Sequence, residues 1–185
     1  LIKKDGLSSD NVYNVSLDQK GNVWVGTDIG ITIFDKNQLA VHSILNIGNG
    51  LHSNRITCMR LVNENEMWIG SADAGVMVLK IKDDFKVTQP VKAIEDAGQR
   101  IDMKNGLSSV FINCITEDKS HNIWIGTTGG GAAKCVPFPS SDRAEAISKA
   151  IVYNYNTRQG LNYFNAKTIF QDRENNVWIG TDIGL

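Results

Sequence analysis

Long hydrophobic runs are missing from this sequence. No apolar stretch approaches the roughly 18 residues a membrane-spanning helix needs, so direct membrane insertion of this segment is not expected. Charge of one sign is missing too, because 19 Lys and Arg stand against 20 Asp and Glu for a net charge of −1. Without a basic field the chain has no hold on a nucleic-acid backbone or an anionic lipid surface, and nucleic acid drops out as a partner. Cysteine is scarce: Cys58, Cys114 and Cys135 form no CxxC pair and no even-numbered framework. The three histidines, His42, His52 and His121, are scattered and form no His-x-x-x-His. Metal ligation needs such groups at close, matched spacings, so no metal site and no cofactor is expected.

What is present is repetition. The 185 residues, 42% hydrophobic and 21% charged, are ordinary for a soluble globular protein. Their order is not. A Gly-Leu pair stands 18 residues before a tryptophan four times: Gly6 and Trp24, Gly50 and Trp68, Gly106 and Trp124, Gly160 and Trp178. Each tryptophan is followed by Val or Ile and then glycine (Gly26, Gly70, Gly126, Gly180), and the motif uses all 4 tryptophans of the chain. Tryptophans recur after 44, 56 and 54 residues, and a strand-built unit of about 40–50 residues has the period of a propeller blade.

Each unit reads as four short strands. Val12 to Leu17, Ile56 to Leu61, Phe111 to Ile115 and Ala166 to Phe170 are β-prone first strands. The polar segments DQKGN (18–22), NENE (63–66), DKSHN (118–122) and DRENN (172–176) close hairpins onto the tryptophan strand. Third strands (Ile31 to Phe34, Val76 to Leu79) and fourth strands (Ala40 to Leu45, Ile151 to Tyr155) follow, and Leu1 to Lys4 reads as a fourth strand at the opening. The expected fold is all-β: blades of four antiparallel strands in one region, 1–185. Repeat motifs lie at 6–35, 50–80, 106–135 and 160–185, and insertions at 81–100 and 136–150. The second insertion reads as a short helix with Asp142 as N-cap, Glu145 three residues on, and Ala144, Ala146, Ile147 and Ala150 as helix formers. Leu1 falls inside the repeat pattern and Leu185 where a third strand is due, so the segment is expected to belong to a larger, seven-bladed ring. Self-association through open blade edges is the alternative.

In a meandering blade the connections from strand four to one and from two to three share a face around the channel mouth. That face takes the Gly-Leu loops and the turn that reads GTDIG at 26–30.

The stretch GLSSDNVYNVSLDQKGNVWVGTDIGI (6–31) resembles the two-component-regulator propeller repeat, and the resemblance extends over all four units. It implies an extracytoplasmic, periplasmic sensor region of a bacterial hybrid histidine kinase or membrane diguanylate cyclase. In such proteins a membrane helix and a signalling module lie elsewhere in the same polypeptide, and the ligands are often oligosaccharides. GSADAG (70–75) and GTTGGG (126–131) each carry one residue more than the family's GTxxG turn, so the loops of that face are not uniform.

The candidate ligand contacts are Ser8, Ser9, Asp28, His52, Asn54, Ser108, Ser109, Asn162, Tyr163 and Asp182, all on the predicted channel-mouth face, with Thr27 and Thr181 beside the two aspartates. Asp28 and Asp182 also read as turn-forming residues. The four tryptophans read as blade core in preference to a sugar-stacking set, since one occupies the same position in every unit. The Asp-x-x-x-Asn turns lack the oxygens of a calcium loop, and Gly129 to Gly131 lack the GK[ST] of a phosphate cradle. Cys58 and Cys114, each eight residues after its glycine, read as small apolar core thiols on equivalent inner strands. The function this supports is a sensing module that binds an oligosaccharide or another small polar ligand and carries no catalytic residue itself. A propeller enzyme (lyase or hydrolase) and a protein-interaction scaffold are the alternatives.

Overall fold

A computed structural model describes residues 2–37, 41–63, 65–81, 99–137, 140 and 143–185. Leu1, Ala40, Asp142 and most of the 81–100 insertion lie outside the described residues. Each of the first three repeats supplies a four-stranded sheet in consecutive order, and the fourth supplies a two-stranded one. The strands are β1 (Val12–Leu17), β2 (Val23–Thr27), β3 (Gly30–Phe34) and β4 (Val41–Leu45); β5 (Ile56–Val62), β6 (Glu66–Ser71), β7 (Val76–Lys80) and β8 (Gln99–Ile101); β9 (Ile112–Glu117), β10 (Ile123–Thr127), β11 (Gly131–Val136) and β12 (Ile151–Tyr155); and β13 (Ala166–Gln171) with β14 (Val177–Thr181). The propeller-blade meander expected from the repeat is therefore present. The chain divides into two compact units, Leu1–Ala72 with Met77–Gly98, and Asp73–Val76 with Gln99–Leu185.

Period-2 alternation places the side chains. In β2, Trp24 lies on one face of the sheet and Val23 and Val25 on the other. In the first unit Trp24, Ile31, Ile33 and Leu45 pack against Leu51, Ile56, Met59, Met67 and Ile69 of the next blade in one buried cluster. The second unit repeats the arrangement with Trp124 and Ala132 against Leu161, Ala166, Ile169, Val177 and Ile179. First strands of successive blades are neighbours within each unit, β1 with β5 and β9 with β13. The glycine after the tryptophan permits that approach: a Cβ on Gly26 would stand 2.8 Å from Ile56 Cγ2, and one on Gly126 would stand 2.9 Å from the Ala166 carbonyl oxygen. Every first strand also carries a register break near its start, at Val12/Asn14, Ile56/Cys58 and Ala166/Thr168 and opposite Gly126/Thr127.

One sequence expectation changes. The opening segment is no strand, because Lys3–Asp5 form a turn of 3-10 helix. The cause is local hydrogen bonding that competes with a ladder: the Asp5 amide donates to the Ile2 carbonyl at 2.8 Å, and the Ile2 amide donates to Asp5 Oδ2 at 2.9 Å. Equivalent turns, Ile47–Asn49, Met103–Asn105 and Thr157–Gln159, precede the other three Gly-Leu pairs. There Asn46, Asp102 and Asn156 accept from the amides of Gly48, Lys104 and Arg158 at 2.7–2.9 Å. The repeat thus begins four residues before its glycine. The short helix expected in the 136–150 insertion is present as α1 (Arg143–Ser148), with Ala150 beyond its end; it buries Ala146 and Ile147 and holds Glu145 between Ser140 and Lys149, at 2.7 and 2.6 Å.

The cysteines are all free, with Cys58 and Cys135 buried and Cys114 partly so. Burial pushes the Cys114 thiol up to about 11 against smaller opposing hydrogen bonds from the backbone of Gly126 and Ile169. Its thiolate fraction at neutral pH is negligible, and the thiolate is the nucleophile. The folded chain is expected to react with a thiol-specific disulfide reagent at pH 8 far more slowly than the chain in denaturant, where all 3 cysteines titrate. Because the folded value lies above the unfolded one, this group's contribution to stability is complete below about pH 9 and fades as pH rises towards 11. Rapid labelling of Cys114 in the folded protein would contradict its placement.

Candidate functional site: the Gly-Leu loops and the strand two to three turns

Hydrogen bonds bring the Gly-Leu loop of a repeat onto the turn between its second and third strands. In the first unit Ser8 Oγ and Thr27 Oγ1 lie 2.9 Å apart, the Ser8 amide donates to Thr32 Oγ1 at 2.9 Å, and Thr27 Oγ1 donates to the Gly30 carbonyl at 2.9 Å. Ser8 is buried by these contacts, and so is Ser9, whose Oγ accepts from the Asn11 amide at 3.1 Å. Asn11 Nδ2 donates to Asp28 Oδ2 at 2.9 Å. Ser9 and then Asn11 hold the Asp28 carboxyl below the usual carboxylate range. In the second repeat Asn54 Oδ1 accepts from the Ile47 amide at 2.8 Å, and His52 sits half-buried in the loop.

The second unit uses the same joints. Ser109 is buried and donates to the Thr128 carbonyl at 2.7 Å, while the exposed Ser108 donates to the Gly130 carbonyl at 2.9 Å and lies 2.8 Å from Asn154 Oδ1. Asn162 Oδ1 accepts from Thr181 Oγ1 at 2.8 Å. Asp182 accepts from Asn165 Nδ2 at 2.6 Å and faces Lys167 Nζ at 3.3 Å. Those partners, Asn165 chiefly, hold its carboxyl below the usual range although desolvation opposes them. The rings of Tyr163 and Phe164 stack at 4.1 Å between centroids, with Phe164 45% exposed.

The ten candidate residues therefore separate by burial. Ser8, Ser9 and Ser109 are committed to joining loops and present little surface to a ligand. Asp28, His52 and Asn54 in the first unit, and Ser108, Asn162, Tyr163 and Asp182 in the second, are half-buried or exposed. Asn11 and Asn165 were missed in the sequence reading. Each stands five residues after its glycine and fixes the aspartate of its own repeat, so their shared offset was the available signal.

The Asp-x-x-x-Asn turns do more than close hairpins. Asp18 Oδ2, Asp118 Oδ2 and Asp172 Oδ2 accept from Nε1 of Trp24, Trp124 and Trp178 at 3.1, 2.9 and 2.8 Å. Asn22, Asn122 and Asn176 each donate to the same carboxylate. Valine occupies the aspartate's place in the second repeat, and Glu66 Oε2 lies 3.4 Å from Trp68 Nε1 instead. Every tryptophan is thus oriented by a carboxylate.

The model of the family described as two component regulator propeller matches residues 6–28, 106–129 and 160–182, covering the loop, hairpin and tryptophan just described in three repeats. These are two-component regulator propeller repeats. The chain is similar in fold to solved extracellular domains from B. thetaiotaomicron. The domain of the hybrid two component system BT3049 is 21% identical with a TM-score of 0.74, and 97% of this chain covers 22% of it. A domain of BT4673 is 19% identical with a TM-score of 0.68, at 95% and 22% coverage. The chain therefore spans about a fifth of the length of either. Virginiamycin B lyase from Staphylococcus aureus shares the fold more distantly, at 13% identity and a TM-score of 0.58, over 91% of this chain and 48% of the lyase. No curated protein matches the chain. Among the described residues, no helix is long and apolar enough to cross a membrane.

Proposed function

We propose that the chain is the extracytoplasmic, ligand-sensing part of a bacterial two-component signalling protein of the hybrid histidine kinase type. In this reading it binds oligosaccharide, and the catalytic signalling module lies elsewhere in the polypeptide. The observation that carries the reading is the regulator repeat itself, matched at the loops that form the polar face. The chemistry of that face in the second unit supports a neutral polyol. Asn162, Ser108 and Asp182 offer donors and acceptors, Lys167 offsets the Asp182 charge, and the stacked Tyr163–Phe164 pair is a partly exposed aromatic platform. Apolar faces set beside a few convergent polar groups suit ring-shaped, hydroxyl-rich ligands.

Calorimetric titration of the chain with a panel of neutral oligosaccharides tests this. At least one member is expected to bind, and Tyr163→Ala is expected to weaken it by about tenfold, the loss of one central contact. Absence of binding across the panel, or binding indifferent to Tyr163, Asn162 and Asp182 alike, would overturn the reading.

A further inference from the structure

The third and fourth repeats each set a phenylalanine on the Gly-Leu loop where the first two set polar groups. Counting from the Gly-Leu glycine, the fourth and fifth residues on are Asp10 and Asn11, Asn54 and Arg55, Val110 and Phe111, and Phe164 and Asn165. Phe111 is 52% exposed and Phe164 is 45% exposed. The blade core demands neither ring, because the first two repeats close the same joint with polar side chains.

Both loops lie between strand two to three turns of the second unit, so neither ring stands on an uncovered sheet edge. The Gly75 amide donates to the Val110 carbonyl at 3.0 Å, and the Thr128 amide donates to the Phe111 carbonyl at 2.9 Å. The Gly131 amide then donates to the Phe164 carbonyl at 2.8 Å, and Asn165 reaches on to Asp182. One turn, 128–131, is thus tied to Phe111 on one side and to Phe164 on the other. It is also the barest turn of its kind. Where the other repeats carry Asp28 and Ile29, Ala72 to Ala74, or Asp182 and Ile183, it carries Thr128, Gly129 and Gly130. Thr128 Oγ1 is engaged by Asn113 Oδ1 at 3.1 Å, and a Cβ on Gly129 would meet nothing within 4 Å. The space over this turn is open.

We infer that Phe111 is a second aromatic subsite: it carries a further ring of a linear neutral oligosaccharide whose first ring rests on the Tyr163–Phe164 stack, with the sugar chain crossing Gly129 and Gly130. This subsite presupposes the oligosaccharide reading given above and adds a chain-length preference to it. Equivalent positions on neighbouring blades lie one sheet spacing apart, on the order of 10 Å. A single sugar ring does not bridge that span, whereas linked rings do. Aromatic faces separated by bare backbone offer the flat apolar surface that the C–H face of a sugar ring covers. The polar groups along the path are neutral or offset, since Ser108, Thr128 and Asn165 carry no charge and Lys167 faces Asp182.

Calorimetric titration of the 185-residue chain with linear malto-, cello-, xylo- and manno-oligosaccharides, each from monosaccharide to tetrasaccharide, tests this. In a series that binds, affinity is expected to rise by about tenfold between disaccharide and tetrasaccharide, the gain of one further central contact. Phe111→Ala is expected to remove that rise and leave the disaccharide affinity at the parent value, whereas Phe111→Tyr keeps the rise. Phe111 is half exposed, so both variants are expected to keep the thermal midpoint of the parent. Tyr163→Ala is expected to weaken binding at every length. Affinity independent of chain length, or a rise that survives Phe111→Ala, overturns the subsite and leaves the oligosaccharide reading standing. Absence of binding in all four series overturns both.

Discussion

Alanine at Gly131 is expected to lower the thermal midpoint of the second unit by about 10 °C, whereas alanine at Gly129 lowers it by only a few degrees. Both glycines have left-handed backbone, with φ of +75° and +83°. A side chain in that conformation costs about 1–2 kcal/mol at either position. Their surroundings separate them. A Cβ on Gly129 meets nothing within 4 Å, whereas one on Gly131 would be built into the Tyr155 carbonyl oxygen and lie 3.1 Å from Asn156 Cα. Those are backbone atoms at the end of the paired strand β12 and of the residue that follows it, so relief requires parting β11 from β12. Overpacking and ladder distortion of this kind cost about 1–3 kcal/mol more. Gly30 stands in the same relation to the Leu45 carbonyl, so Gly30→Ala is expected to repeat the effect in the first unit. Circular dichroism melts of the variants provide the check. Equal losses at Gly129 and Gly131 would show that left-handed strain alone is at work.

The parts of this fold that repeat were legible in the sequence, and the parts that depend on a partner side chain were not. Val12–Leu17 and Ile151–Tyr155 match their expected strands residue for residue, because β-branched runs between turn residues leave little choice. The tryptophans were placed as blade core, and Trp24, Trp68 and Trp124 are buried so, whereas Trp178 is 42% exposed. The 3-10 turns before each Gly-Leu pair went unread. Their signal is an Asx pair such as Asn46 with Asn49, which single-repeat propensity does not separate from a loop. At the candidate site the sequence could group the loops by topology, but it could not say which hydroxyls the framework consumes. Ser8 and Ser9 look like Ser108 in the sequence, yet Thr27, Thr32 and the Asn11 amide engage the first pair within the protein. Exposure is a property of the folded neighbourhood, and only Ser108 of the three retains it.

Removal of the Asp118 carboxylate is expected to destabilise the second unit by about 3–5 kcal/mol, a loss large enough to leave its tryptophan cluster poorly ordered. Asp118 Oδ1 accepts from the amides of Ser120 and Asn122 at 2.9 Å, and Oδ2 accepts from Asn122 Nδ2 and Trp124 Nε1 at 2.9 Å. Asp118, Asn122 and Trp124 are all buried, so Asp118→Ala strands several donors where water has little access. The same substitution at Asp172 removes the same set of bonds, but around the exposed Trp178 and Asn176, where water replaces the carboxylate. Its effect is expected to be far smaller. The contrast between two copies of one motif isolates burial as the cause. Acid should act in the same direction. Burial alone would raise the Asp118 carboxyl, but the hydrogen bonds from Asn122 and Trp124, with the backbone of Asn122 and Ser120, outweigh it and hold the group below its ordinary 3.8. A depressed value contributes stability that is present above the unfolded value and is lost as pH falls through the folded one. Denaturant titrations from pH 7 down to about pH 2 should therefore show the parent losing stability on the acid side, with a shallower acid limb in Asp118→Asn. That variant keeps the shape and one acceptor oxygen but lacks the charge and cannot titrate. If Asp118→Ala and Asp172→Ala cost the same, or if the acid limb is unchanged in Asp118→Asn, the carboxylate clamp does not hold the tryptophan in the way the geometry indicates.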